Sequence, residues 1–154
     1  MTEKQNMVVE EINVLVVGNN PTELGHLDDD LKNIPDKKIV TAIAFDIRSI
    51  FERLANFRPT YILIDDNIGA PEVNNAVKAL HRSRKTREIP ITILKTSNYS
   101  AGVTTGVMNY VMKHNLTGIS LYNELRNSLK LKATQQFLYT AWKKRKRQML
   151  RLLR

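Results

Sequence analysis

The sequence predicts an α/β fold with a mainly parallel sheet, and three observations carry that prediction. Short runs rich in Val, Ile and Leu alternate with segments whose apolar residues recur at helical spacing. The strand-like runs lack clean in–out alternation, as expected where helices cover both faces of a sheet. Turn and cap residues punctuate the chain between these segments. At 154 residues there is room for one domain of ordinary size.

Ile12–Val17 (INVLVV) reads as a buried strand that ends in a turn at Gly18, Asn19, Asn20 and Pro21. Asn20, Pro21 and Glu23 then suit the N-cap, N1 and N3 positions of a helix. Its inner face is Leu24, Leu27, Leu31 and Ile34, and Pro35 stops it. Lys38–Ala44 (KIVTAIA) is a second strand. Asp46 caps a second helix, with Ile47, Ile50, Phe51, Leu54 and Phe57 inward and Pro59 as its end. Tyr61–Ile64 is a third strand, closed by Asp65 and Asp66. A third helix is expected from Pro71 to Arg84, burying Val73, Ala76, Val77 and Leu80. Ile89–Leu94 and the short Asn109–Met112 complete the strands. Between them, two Gly and five Ser or Thr predict a short or irregular fourth helix. A last helix begins near Ser120 with Leu121, Leu125 and Leu129 on one face.

Composition excludes several classes of function. With no cysteine, disulfides, thiolate catalysis and Cys-based zinc sites are ruled out. Apolar runs are too short for a transmembrane helix, and the N-terminus lacks the apolar core of a signal peptide, so the cytoplasm is the expected compartment. The net charge of +9 is concentrated at one end. Residues 131–154 hold eight Lys or Arg and no acid, leaving sixteen basic against fifteen acidic residues, or +1, in 1–130. The expected organisation is an N-terminal arm (1–11), a nearly neutral domain (12–130) and a basic tail (131–154).

In parallel α/β sheets the functional crevice lies at the C-terminal strand ends. Those ends carry Gly18, Asn19 and Asn20, then Asp65 and Asp66, then Lys95, Thr96 and Ser97, and finally Lys113. Other clusters carry no site. His26, His81 and His114 are scattered over different elements, and Asp28, Asp29 and Asp30 fan around a helix rather than converging. Gly18-Asn-Asn-Pro-Thr lacks the spacing of a phosphate loop.

Three segments carry a family resemblance. Arg58-Pro-Thr-Tyr-Ile-Leu-Ile-Asp65 places an aspartate six residues after a proline, and Ile89-Pro-Ile-Thr-Ile-Leu94 and Asn109-Tyr-Val-Met-Lys113 follow. Together they resemble the receiver domain of two-component response regulators over residues 12–130. The resemblance implies a doubly wound, flavodoxin-like sheet of five parallel strands in the order 2-1-3-4-5. It also implies a phosphoacceptor at Asp65, a phosphoryl-stabilising lysine at Lys113, and switch residues at Tyr110 and Thr96. In such a site an aspartate accepts a phosphoryl group whose charge is neutralised by Mg²⁺ and the lysine.

The departures fall within that site. The family's acidic pair after the first strand lands on Gly18 and Asn19, so the remaining ligands for Mg²⁺ are Asp65, Asn67 and Asn19, a set weakened by the lost charges. Lys95 stands where the family has its hydroxyl, which Thr96 or Ser97 supplies only if the strand end shifts. Lys95 is therefore a candidate internal counter-ion for Asp65. His114 stands where the family has a proline.

Between Gly118 and Arg154 there is neither Gly nor Pro, so the last helix is expected to extend well past the domain, for about 50 Å if helical throughout. Leu131, Leu138, Arg145 and Leu152 fall seven apart, an apolar stripe interrupted by one charge. Trp142, Lys143, Lys144, Arg145, Lys146 and Arg147 form its basic binding segment, suited to a partner helix, an anionic membrane or nucleic-acid phosphates. The favoured function is a non-enzymatic pseudo-receiver that works by contact with a protein, either a histidine kinase or a downstream signalling protein, through the face bearing the fourth helix, fifth strand and last helix with the basic tail as a docking element; a homodimer is also open. One alternative is a conventional Mg²⁺-dependent phosphoacceptor phosphorylated on Asp65 by a histidine kinase. The other is a nucleic-acid-binding regulator using the tail.

Overall fold

The computed structural model describes residues 11–96, 109–114 and 116–153. The N-terminal arm up to residue 10, Ser97 and the expected fourth helix lie outside the described residues. The chain runs β1 (Glu11–Val17), α1 (Pro21–Lys32), β2 (Lys38–Ala44), α2 (Ile47–Leu54), β3 (Tyr61–Asp65), a 3-10 turn (Asp66–Ile68) and α3 (Ala70–Arg82). It continues through β4 (Ile91–Lys95), β5 (Asn109–Met112) and α4 (Gly118–Leu152). The five strands form one sheet in the order β2-β1-β3-β4-β5, every pairing parallel. This is the doubly wound order the sequence resemblance implies.

The boundaries follow from local chemistry. Asn20 Oδ1 accepts from the Thr22 and Glu23 amides, at 3.1 and 3.2 Å, and Pro21 opens α1. Asp46 and Ser49 form a reciprocal capping box at the start of α2, and Thr117 and Ser120 do the same for α4. β4 begins at Ile91 rather than Ile89: Pro90 has no amide hydrogen to donate, although its carbonyl accepts from the Ile62 amide at 3.0 Å.

The sheet is buried on both sides. Leu24, Leu31, Leu121 and Leu125 from α1 and α4 pack on one face with Val14, Val16, Leu63 and Leu94. On the other, Ile50, Leu54, Val73, Val77 and Leu80 from α2 and α3 pack with Leu15, Val17, Ile62 and Ile64. Phe51, expected inward, is exposed, because α2 is short and only the Ile50–Leu54 edge of it meets the sheet.

One polar group crosses the first core. The Tyr61 hydroxyl is hydrogen-bonded to Thr92 Oγ1 and donates to Ser128 Oγ at 3.2 Å, linking β3, β4 and α4 inside the protein. Burial pushes the Tyr61 phenol above its ordinary pKa. This contact, with Leu121 and Leu125, seats the first turns of α4. Lys132 then pairs with Glu88 at 3.2 Å, and from Phe137 to Leu153 every residue is exposed.

Removing the Tyr61 hydroxyl takes one hydrogen bond from each of the buried Thr92 and Ser128 hydroxyls. Tyr61→Phe is therefore expected to cost about 1–3 kcal/mol, read as a lowered urea midpoint with an unchanged m-value.

Candidate functional site

Strand register assembles the site. β1 pairs with β3 up to Val17–Ile64, so Gly18 follows beside Asp65. Asp65 is level with Leu94 on β4, and Leu94 with Val111 on β5. The ladder continues one step as the Lys113 amide donates to the Lys95 carbonyl at 2.9 Å. Asp65 and Lys113 consequently leave on the same face of the sheet, across the end of β4.

Asp65 is the buried carboxylate of this edge, 3% exposed. Its Oδ2 lies 2.6 Å from Lys113 Nζ, and its Oδ1 accepts from the Asn67 amide at 3.0 Å. Lys113 Nζ also donates to Glu23 Oε2 at 3.0 Å. The ammonium is thus shared by two carboxylates, one from β3 and one from the first turn of α1. Burial pushes the Asp65 carboxyl above its ordinary pKa, and the Lys113 and Asn67 hydrogen bonds recover only part of that shift. Burial also acts to lower the Lys113 pKa, but Asp65 and Glu23 together outweigh it and the net direction is upward. Glu23 was legible in the sequence only as a helix N3 residue. The missed signal is that this helix begins at the same sheet edge as Asp65, so a carboxylate in its first turn faces the crevice.

Lys95 is not the counter-ion of Asp65, contrary to the sequence expectation; Lys113 is. Side chains alternate along a strand, and Asp65 is in register with Leu94, so Lys95 departs on the opposite face. Its ammonium lies 5.4 Å from the Tyr110 ring centroid. Tyr110, level with Ile93, shares that face and is 40% exposed. Thr96 is held by the neighbouring acid: its hydroxyl donates to Asp66 Oδ1 at 2.8 Å and its amide lies 3.2 Å from both Asp66 oxygens.

The metal ligands expected from sequence do come together, and of their candidate oxygens the two of Asp65 are engaged with the protein. Asn19 Nδ2 donates to the Asn67 carbonyl at 3.2 Å, and both Asp65 oxygens have the partners given above. A buried Asn67 Oδ1 without a hydrogen-bond partner adds one neutral oxygen. Among the described residues no group of three or more His, Cys, Asp or Glu could hold a metal ion. Nor is Gly18 simply a missing acid. A Cβ there would meet Leu24 Cδ2 at 2.9 Å and Asp65 Cβ at 3.3 Å, so the place of an acidic side chain is already filled. One carboxylate already in contact with an ammonium, together with neutral amides, is a weak donor set for Mg²⁺, which is usually held through one or two free carboxylates with waters completing its octahedron.

No family model and no curated protein matches the chain by sequence. Solved structures do match it in shape. The chemotaxis response regulator CheY4 of Vibrio cholerae is 19% identical, with a TM-score of 0.64 over 77% of this chain and 99% of that one. The receiver domain of the sensor histidine kinase PA1611 from Pseudomonas aeruginosa PAO1, solved with magnesium in its active-site cleft, is 16% identical at a TM-score of 0.67, covering 79% and 99%. A CheY-like receiver domain protein from Methanospirillum hungatei JF-1 is 14% identical at a TM-score of 0.65, covering 82% and 99%. The chain therefore has the flavodoxin-like fold of receiver domains. No helix among the described residues is long and apolar enough to cross a membrane.

Two measurements test the site. Because the native carboxyl of Asp65 binds its proton more tightly than the unfolded one, its contribution is full below the ordinary value of 3.8 and is lost as pH rises through the raised native value. The stability of Asp65→Asn relative to wild type should accordingly rise across that acid range and then level off, as followed by urea unfolding; a trend in the opposite direction would mean that Lys113 outweighs burial. Gly18→Ala should cost about 1–3 kcal/mol in the same assay, because the buried Leu24 must give way.

Proposed function

We propose that the chain is a receiver-type signalling module that acts by protein contact, with its aspartate pocket held in one state by its own side chains. The observation that carries this reading is Lys113, bound at 2.6 Å to Asp65 and at 3.0 Å to Glu23. In a phosphoacceptor site the lysine must be available to an incoming phosphoryl group and a dication must neutralise the rest. Here the lysine is already neutralised, and the positions that would carry the acidic pair are Gly18 and Asn19. The module is not an enzyme in this reading, and Mg²⁺ is not a resident cofactor. The docking surface is the edge carrying β5 and the first turns of α4, the partner being a histidine kinase or a downstream signalling protein.

Conventional phosphotransfer to Asp65 is the second reading, favoured by one observation: Asp65 and Lys113 lie in contact at the C-terminal edge of a receiver-type sheet. In that case Asp65 would attack the phosphoryl group, Lys113 would turn from Glu23 to the new oxygens, and Thr96 and Tyr110 would respond. A single titration separates the two. Amide shifts are followed by NMR as Mg²⁺ and then beryllofluoride, a phosphoryl mimic, are added to the chain. The pseudo-receiver reading expects no saturable shift at Asp65, Asn67 or Lys113 at millimolar Mg²⁺. Saturable shifts that spread to Thr96 and Tyr110 would replace it with the phospho-switch.

A further inference from the structure

Beyond the body, α4 has two sides of opposite character. From Phe137 to Leu153 every residue is exposed, and the sequence has no acidic residue after Glu124. At about 100° per residue, Leu138, Trp142, Met149, Leu152 and Leu153 fall within one arc of about 100°. Lys143, Lys144, Arg147 and Arg151 fall within a second arc of about 100°, centred opposite the first. The helix carries this division from Phe137 to Leu152, along about 24 Å.

One border between the two sides is aromatic. Tyr139 and Trp142 stack with ring centroids 6.1 Å apart, Lys143 Nζ lies 4.7 Å from the Tyr139 ring, and Lys146 Nζ lies 5.1 Å from the Trp142 ring. Amphipathic rings beside ammonium groups suit the level at which hydrocarbon gives way to lipid headgroups. Arg145 falls inside the apolar arc, and its long stem covers apolar surface while the guanidinium reaches that same level. A second copy of the chain offers no such match. It would bring eight more Lys or Arg from residues 131–154 and no acid, and in a parallel pair each Arg145 would face its counterpart.

From this division we propose that α4 beyond Gln136 lies along an anionic lipid surface, its axis in the plane of the membrane. The rod makes two demands at once, negative charge for its cations and hydrocarbon for the opposite arc, and an anionic bilayer meets both. The Trp142 side sinks by about 5–10 Å into the boundary between headgroups and acyl chains, which leaves Lys143, Lys144, Arg147 and Arg151 at the level of the phosphates. The helix rests on the membrane and does not span it, since no helix among the described residues is long and apolar enough to cross. Recognition is of negative headgroups in general, because the cations form an open row and no closed pocket for one headgroup.

Trp142 is the only tryptophan in the chain and lies on the side proposed to insert, so a blue shift of its emission reports insertion without a label. The full chain is titrated with vesicles of phosphatidylglycerol and phosphatidylcholine, and with vesicles of phosphatidylcholine alone, at several salt concentrations. A saturable blue shift is expected with the anionic vesicles, weakening as salt rises. Each Lys or Arg near such a surface strengthens binding by about fivefold, so K143Q/K144Q/R147Q/R151Q should weaken it by at least about 100-fold. L138Q/M149Q/L153Q keeps every cation and Trp142 and should lose the blue shift. Glutamine preserves helix propensity, so the circular dichroism and the unfolding midpoint of both variants should hold. No shift with anionic vesicles at low salt, an equal shift with phosphatidylcholine alone, or a shift that survives either set of substitutions would overturn the proposal. So would tighter binding to duplex DNA at the same salt, or a blue shift that grows with chain concentration in the absence of lipid.

Discussion

A carboxylate removed from water needs a cation in contact with it, and at Asp65 that cation comes from Lys113, beyond β5. Desolvating the pair costs several kcal/mol per ion, offset only when geometry and further hydrogen bonds are good. Geometry and hydrogen bonding are both favourable, with a contact of 2.6 Å and an amide donor from Asn67, yet they recover only part of the burial cost on Asp65. The bridge spans β4, so it ties the central strand to the edge strand without any bond between neighbours. Through Glu23 it also ties in the first turn of α1. Strand order, helix entry and crevice geometry are therefore coupled at one nitrogen atom.

This coupling explains why the crevice is better described as filled than as depleted. Gly18 leaves room that Leu24 occupies, and the Asn19 side chain closes onto the Asn67 carbonyl. Asp66 does not replace the missing acids: it is turned toward the end of β4 and holds Thr96. Asp65, Asp66, Lys113 and the Asn19 amide nitrogen are each directed at another part of the protein, while the buried Asn67 Oδ1 has no hydrogen-bond partner. The fold of receiver domains and the chemistry of a receiver site are separable, as a fold and the sites built on it generally are.

Most of the fold was legible because its signals are local. Asn20, Asp46 and Pro21 mark helix starts by backbone chemistry alone, and the β-branched runs mark strands on either side of them. β2 and β5 have the bounds read from sequence, while β4 does not, since Pro90 removes a donor from the middle of an otherwise continuous apolar run. The site was legible only in part, because it depends on register. Asp65 and Lys113 stand at strand ends and could be placed by counting. That Lys95 would leave on the far face depends on the pairing of Asp65 with Leu94, and the approach of Glu23 depends on where α1 settles over the sheet. Neither relation has a signature along the chain.

The uninterrupted α4 has a mechanical consequence. Its base is clamped by Leu121, Leu125 and the Ser128–Tyr61 hydrogen bond, whereas the basic cluster lies far out along the rod. A helix is stiff over this length, so the base acts as a fulcrum and the rod as a pointer. The far end at Leu152 lies about 36 Å from Ser128, so a tilt of about 10° at the clamp displaces it by about 6 Å. An adjustment at the β5–α4 edge too small to disturb the core is therefore magnified at the charged end of the rod.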